Sequence, residues 1–292
     1  MTILKNDYLE VELNPKGAEI IKIIGQQDHI NYMWRRDPVQ WANSAPILFP
    51  IVGSIRENEC RINGKTYSMT QHGFSRHNVY ETNQISDTCV EFILVPNEEI
   101  SKQYPYKFKL VVTYTLDNNK LICNCKVYNT DDQNILFQIG GHPAFACPLM
   151  EGEDYNTYYL EFSENESCGR KIIDVELNGM SHDVEPLFDN ERRFFVRQAM
   201  FDRNAVVLKD FKSENVALKC LNHNKSIVFH MKNFNHLGLW TAKHAGGLLA
   251  IEPWVGHTDY VDFKGEFSEK EGVVDLNVND VFECEFAVEI NQ

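Results

Sequence analysis

Four short segments set ionisable side chains among glycine, proline and aromatic residues: PILFPIVGSIRENE (46–59), QHGFSR (71–76), GGHPAFACP (140–148) and IEPWVGHTD (251–259). Backbone of that composition tends to be held rigidly around a pocket, with polar groups on loops and strand ends. His142 comes first among them. Gly140 and Gly141 relieve steric limits on the backbone before it, and Pro143 biases it toward an extended conformation, so the ring is held as a positioned acid needs. Glu252 is built the same way, with Pro253 after it and the apolar run LLAI (248–251) before it. A carboxyl following such a run is expected to be drawn partly out of water, which raises its pKa. Trp254 lies two residues on and shares a side with Glu252 on extended backbone. An aromatic plate beside a carboxylate suits a pyranose, which has apolar C–H faces and hydroxyl edges. His72 and Arg76 in QHGFSR, and Arg56 in GSIREN, offer donors for sugar hydroxyls or a ring oxygen. A histidine plus a carboxylate is the minimal set for proton transfer in both directions. Each residue also has a purely structural reading: a strand-end histidine satisfied by the backbone, a surface glutamate, a packed tryptophan, an arginine tying down a loop.

Other chemistries fit worse. The sequence has no H-x-H with a downstream Glu, no H-E-x-x-H and no clustered Cys/His set, so no metal is indicated. G-x-S-x-G, G-x-x-x-x-G-K-[ST] and G-x-G-x-x-G are missing too. The eight cysteines are scattered; Cys123 and Cys125, flanked by Leu121 and Val127, read as small core residues on one face of a strand. A formal charge of −14 with no local Lys/Arg cluster argues against nucleic-acid phosphates as partners. The opening MTILKNDYLEVELNPKGAEI lacks the pattern of a signal peptide, and no apolar run approaches the roughly 20 residues that span a bilayer. The expectation is a cytoplasmic protein without a membrane partner.

The elements that position these residues read as strands. Apolar and acidic residues alternate from Phe282 to Ile290, as on a half-buried antiparallel strand. KFKLVVTYTL (107–116) and LICNCKVY (121–128) flank Asp117-Asn118-Asn119-Lys120, which predicts a hairpin. Further strands are expected over 3–13, 19–24, 89–95, 157–162, 205–208, 216–221, 227–231 and 248–251. Residues 98–104 and 38–43 are the candidates for short helical turns. Strands about every ten residues, punctuated by Gly, Asn, Asp and Pro, predict an all-β fold, a large antiparallel β-sandwich, over 1–292 as one domain.

At these residues the sequence resembles the aldose 1-epimerase (galactose mutarotase) superfamily, most closely its LacX-like branch. The resemblance rests on PILFPIVG (46–53), QHGF (71–74) with Arg76, GGHPAF (140–145), FNHLGLW (234–240) and IEPW-V-G (251–256), which occur in family order. It implies a galactose mutarotase-like sandwich with a sugar cleft across one sheet and no cofactor. It implies His142 as general acid, Glu252 as general base and His72 as a ring-oxygen or hydroxyl ligand. The family's site arginine falls in the segment where this chain offers Arg56, with Ser54 at the aligned position; Arg56 is expected on the same strand face two residues along. Asn204, in FDRNAVV, is the nearest match to the family's substrate-binding aspartate. The function implied is interconversion of the α and β anomers of an aldose: ionised Glu252 takes the C1-hydroxyl proton, protonated His142 supplies the ring oxygen, and the roles reverse on closure. The rival readings are a sugar-binding or sensing protein on the same fold, and a different carbohydrate enzyme, a lyase or a glycosidase, the last of which needs two carboxylates about 5–9.5 Å apart. For the latter the segments supply only Glu252, with Asp259 a poor second. Arg56 and Arg76 alone make a thin phosphate site, so the substrate expected is an unphosphorylated aldose. All of this requires His142 and Glu252 to meet across one hollow, at a span matching a hexose ring.

Overall fold

The computed structural model describes residues 1–242 and 247–292. The alternation over 282–290 becomes strand Val281–Asn291, which lies inside a nine-stranded antiparallel sheet between Lys120–Asn129 and Ser226–Lys232. Its Cys284, Phe286, Val288 and Ile290 are buried, while Glu283 and Glu289 reach Lys126 and Lys120 across the wetted face. The expected hairpin forms from Phe108–Asp117 and Lys120–Asn129, with Asn118 in the left-handed region (φ 51°) that a two-residue turn demands.

A second sheet of eight strands packs on the first. Its order runs Gly179–Pro186, Gly169–Asp174, Val206–Lys209, His236–Trp240, Gly247–Val255, Ile139–Gly141 and Ile47–Leu48, and Ala144–Cys147 also pairs with Gly247–Val255. Contact between the sheets is tight: a Cβ at Gly141 would sit 2.8 Å from the Phe286 ring, and the Phe145 and Phe229 rings are 6.1 Å apart. The run GLLAIEPWV shows no apolar/polar alternation because both faces of its strand are covered. Leu249, Ile251 and Val255 enter the core between the sheets. Leu248, Ala250 and Trp254 enter two smaller clusters on the outer face. The fold is thus an all-β antiparallel sandwich, and Glu252 shares the outer face with Ala250 and Trp254.

Some elements differ from the sequence reading. Residues 3–13 form two strands, Thr2–Lys5 and Leu9–Asn14, because the Asn6 side chain accepts the Tyr8 and Leu9 amides and turns the chain. Residues 38–43 hold a turn without a helix; the helix is Glu98–Gln103, capped by Asn97. Cys123 and Cys125 are buried, and all eight cysteines are free. Among the described residues no helix is long and apolar enough to cross a membrane.

Candidate active site

Ladder register brings His142 and Glu252 together. Gly140 pairs with Trp254 and Ala144 with Ala250, so the two pairings bracket His142 and Glu252 and place them opposite each other across the same two strands. His142-Pro143 joins strands Ile139–Gly141 and Ala144–Cys147, and the His142 amide donates to Pro46 O at 3.2 Å. His142 Nε2 then lies 3.3 Å from Glu252 Oε2. The two groups are in contact, closer than the expected span of a hexose ring. That separation suits chemistry at two oxygens carried by one carbon.

Both side chains line a cavity of about 400 Å³ together with His72, Arg76, Trp254 and Asn204. Three aromatic rings surround the His142 imidazole: Trp41 at 4.5 Å, His72 at 5.5 Å and Trp240 at 5.7 Å between centroids. Burial, with some help from the Arg76 charge, pushes the His142 pKa down to about 3. Burial likewise holds the Glu252 carboxyl well above its ordinary range, with Trp254 opposing weakly. Both shifts favour the uncharged forms, neutral imidazole and protonated carboxyl, with one acidic proton between them. His142 Nδ1, Glu252 Oε2 and Trp254 Nε1 are buried and have no hydrogen-bond partner among the described residues. Polar atoms left so in a cavity are ready to meet the polar groups of a ligand.

His72 is fixed in both backbone and tautomer. It adopts φ 64°, unusual for a non-glycine residue, and its amide donates to Gly53 O at 2.8 Å. The Gly53 amide donates back to His72 Nδ1 at 3.1 Å, so in the neutral ring Nε2 carries the hydrogen and can only donate. Burial first, then His142 and Arg76, holds the His72 pKa well below its ordinary value. Trp254 lies against two glycines: a Cβ at Gly238 would fall 2.6 Å from its ring, and one at Gly140 2.8 Å from it.

Arg56 is elsewhere. It begins a 3-10 turn, Arg56–Asn58, and lines a different hollow from Ser54, so the expectation that it takes the cavity position fails. Its guanidinium donates to Val261 O at 2.7 Å and lines a separate hollow with Glu57, Asp259 and Phe263. Ser54 takes the cavity position, locked to Thr258: the Ser54 amide donates to Thr258 Oγ1 at 3.0 Å and that hydroxyl donates to Ser54 O at 2.7 Å. Asn204 reaches the cavity in a left-handed conformation (φ 71°), its Oδ1 accepting the Ala205 amide at 2.8 Å. Sequence reasoning assigned no role to Trp41, Trp240, Gln71, Asn178 or Thr258, all of which line the cavity. Trp240 closes the FNHLGLW segment and Trp41 sits in the turn over 38–43, so both were visible as residues but not as neighbours of His142.

A sandwich of this topology, with a His–Glu pair in a cleft on the outer face of one sheet, defines the class. The chain belongs to the aldose 1-epimerase family, whose model matches residues 1–283. Among its relatives are the chromosomal and plasmid forms of protein LacX of Lactococcus lactis subsp. lactis, each 34% identical over 265 residues, 88% of either chain. Its fold matches a galactose mutarotase-related enzyme from Lactobacillus acidophilus (TM-score 0.94, 27% identity, 99% of this chain and 97% of that one). It equally matches a galactose mutarotase-like protein from Lactobacillus casei (TM-score 0.93, 27% identity, all of both chains).

Proposed function

We propose that the protein is an aldose 1-epimerase that interconverts the α and β anomers of an unphosphorylated aldose by general acid–base ring opening and closing. The observation that carries this reading is the contact between His142 Nε2 and Glu252 Oε2, 3.3 Å apart in a cavity of about 400 Å³.

Ring opening removes a proton from the C1 hydroxyl and delivers one to the ring oxygen, both bonded to C1. The pair holds one transferable proton, so it serves when one partner takes while the other gives. Passing the resting proton from Glu252 to His142 gives the carboxylate base and imidazolium acid the reaction needs; closure on the opposite face returns it. Proton transfer of this kind contributes about 10²–10⁴-fold. His72 Nε2–H donates to a sugar oxygen, Trp254 offers an apolar face, and Ser54, Asn204 and Arg76 meet hydroxyls at the rim. Arg76 is the one cationic side chain lining the cavity among the described residues, which favours a sugar without phosphate.

The test is NMR saturation exchange between anomers across a panel of free and phosphorylated sugars. The expected result is exchange of at least one free aldose well above the buffer rate, lost by about 10² or more in His142→Asn and Glu252→Gln. Exchange no faster than in buffer for the whole panel replaces this reading with that of a sugar-binding protein.

A further inference from the structure

Beyond Trp254 on the same sheet face lies a polar cluster that the epimerase chemistry leaves unused. His236 stands opposite Trp254 in the ladder, and the chain leaving strand Gly247–Val255 brings His257 against it, with ring centroids 5.0 Å apart. Glu271 completes the group, and one donor atom of each residue lies within 4.8 Å of the others. The surroundings fix both tautomers. His257 Nδ1 is 2.5 Å from Thr258 O, a carbonyl that can only accept, so Nδ1 carries the hydrogen. His236 Nδ1 is 2.7 Å from Asn235 Oδ1, an oxygen that already accepts the Gly256 amide at 3.1 Å, so the imidazole donates there too. Each ring therefore turns an Nε2 lone pair inward. The two residues are 2% and 1% exposed, and among the described residues neither Nε2 has a hydrogen-bond partner. His257 Nε2 lies 3.7 Å from Glu271 Oε2. Two lone pairs and a carboxylate oxygen meet in this cluster.

We propose that His236 Nε2, His257 Nε2 and Glu271 Oε2 bind a divalent transition-metal ion, zinc by preference, with water in the fourth position. Two imidazoles and one carboxylate are a zinc-type donor set, and zinc bonds of about 2.0–2.2 Å put tetrahedral ligands roughly 3.4 Å apart, close to the 3.7 Å between His257 Nε2 and Glu271 Oε2. Donation of each Nδ1–H to an oxygen is the outer-shell arrangement that orients ligating histidines. The Tyr260 hydroxyl donates to Glu271 Oε2 at 2.7 Å and Lys209 pairs with Oε1, so the carboxylate is oriented from both sides. The Lys209 ammonium also opposes a second cation and tempers the affinity. The protonation states suit a ligand set: burial, aided by neighbouring positive charge, holds His236 near 3 and His257 near 4. Against the burial that raises it, Lys209 and Tyr260 hold Glu271 at about 2. The ion ties Thr258, on the cavity wall next to His257, to the sheet.

Chelator-treated full-length protein titrated with zinc ion alone tests this by calorimetry, thermal melting and the visible spectrum of the cobalt-substituted form. The expected results are one equivalent bound, a rise in Tm of roughly 5 °C at saturating zinc, and the intense bands of four-coordinate cobalt. His257→Gln and His236→Gln lose affinity on the order of 100-fold, while His142→Asn keeps the full equivalent, separating the ion from the catalytic pair. Lys209→Met, at a partly exposed position, tightens binding about tenfold, which reads the site even if a histidine variant misfolds. The proposal is overturned by no binding above background in the wild type, by undiminished binding in a folded His257→Gln variant, by an unchanged affinity in Lys209→Met, or by a crystal grown with zinc that shows only water between the imidazoles.

Discussion

Glu252 carries opposite consequences for catalysis and for stability. Its carboxyl is protonated in the fold because burial disfavours the anion, whereas in the unfolded chain it ionises in the ordinary carboxylate range. A group whose folded pKa is raised contributes stability fully present below about pH 4.5 and lost as pH rises toward the folded value. At pH 8 Glu252 is therefore a burden, and Glu252→Gln removes it while removing the base. The expected outcome is a Tm at pH 8 equal to or above wild type, with kcat lower by about 10²; a Tm several degrees lower would show that the fold depends on the carboxylate. The same pair sets the rate profile. Activity needs the singly protonated couple, so the acid limb follows the depressed His142 value near 3 and the alkaline limb the raised Glu252 value. A broad plateau through neutrality is expected in kcat/KM. A limb near pH 6.5, the ordinary histidine value, would mean that His142 is solvated in the working enzyme.

Strands decide where Trp254 stands, and two glycines on its neighbours decide that it fits. Strand His236–Trp240 puts Gly238 opposite Glu252, and strand Ile139–Gly141 puts Gly140 opposite Trp254. Gly238→Ala forces a Cβ to within 2.6 Å of the indole, which has to tilt into the cavity. The expected cost is about 1–3 kcal/mol of stability from overpacking, measured by urea denaturation, and a KM raised about tenfold with kcat held within a few-fold. A fall in kcat with KM unchanged would place Trp254 outside the sugar's apolar contact. The two glycines were legible as residues in GGHPAF and FNHLGLW, but their partner was not, because register between segments so far apart follows from packing. Strands with a buried face were readable from alternation, as in 107–116 and 282–290. Glu81–Ser86 is exposed along its whole length, and Gly179–Pro186 is GMSHDVEP, so neither carries an apolar stripe to read. Arg56 misled for a different reason: Ile55 keeps the chain extended between Ser54 and Arg56, but the chain enters a 3-10 turn at Arg56 and Val261 O holds its guanidinium away from the cavity. His236, His257 and Glu271 match no ligand spacing in sequence and become a cluster only where the sheet folds them together.

Across the molecule, four histidines among the described residues, His72, His142, His236 and His257, are buried and have pKa values depressed mainly by that burial. Each stays neutral inside the fold and takes up a proton when the chain unfolds below about pH 6.5. The unfolded state then binds more protons, so their contribution is complete above that value and falls as pH drops toward the lowered folded values. Each such proton is worth about 1.4 kcal/mol per pH unit near pH 5, and Glu252, whose raised pKa keeps one extra proton in the fold, offsets one of the four. Relief of self-repulsion acts the other way as the net charge of −14 is titrated toward the isoelectric point near 5.2. That repulsion is spread over the surface and screened by salt, whereas the imidazoles are buried and screened far less. At 0.15 M salt the histidines therefore prevail, and urea midpoints measured on chelator-treated protein should fall steadily from pH 7 to pH 5. Proton uptake on unfolding, read from calorimetry in buffers of different ionisation enthalpy, should drop by about one proton at pH 5 in a folded His72→Gln or His142→Asn variant. Midpoints that hold or rise from pH 7 to pH 5 would mean that the fold already accommodates charged imidazoles, and the neutral resting pair in the cavity would fall with that result.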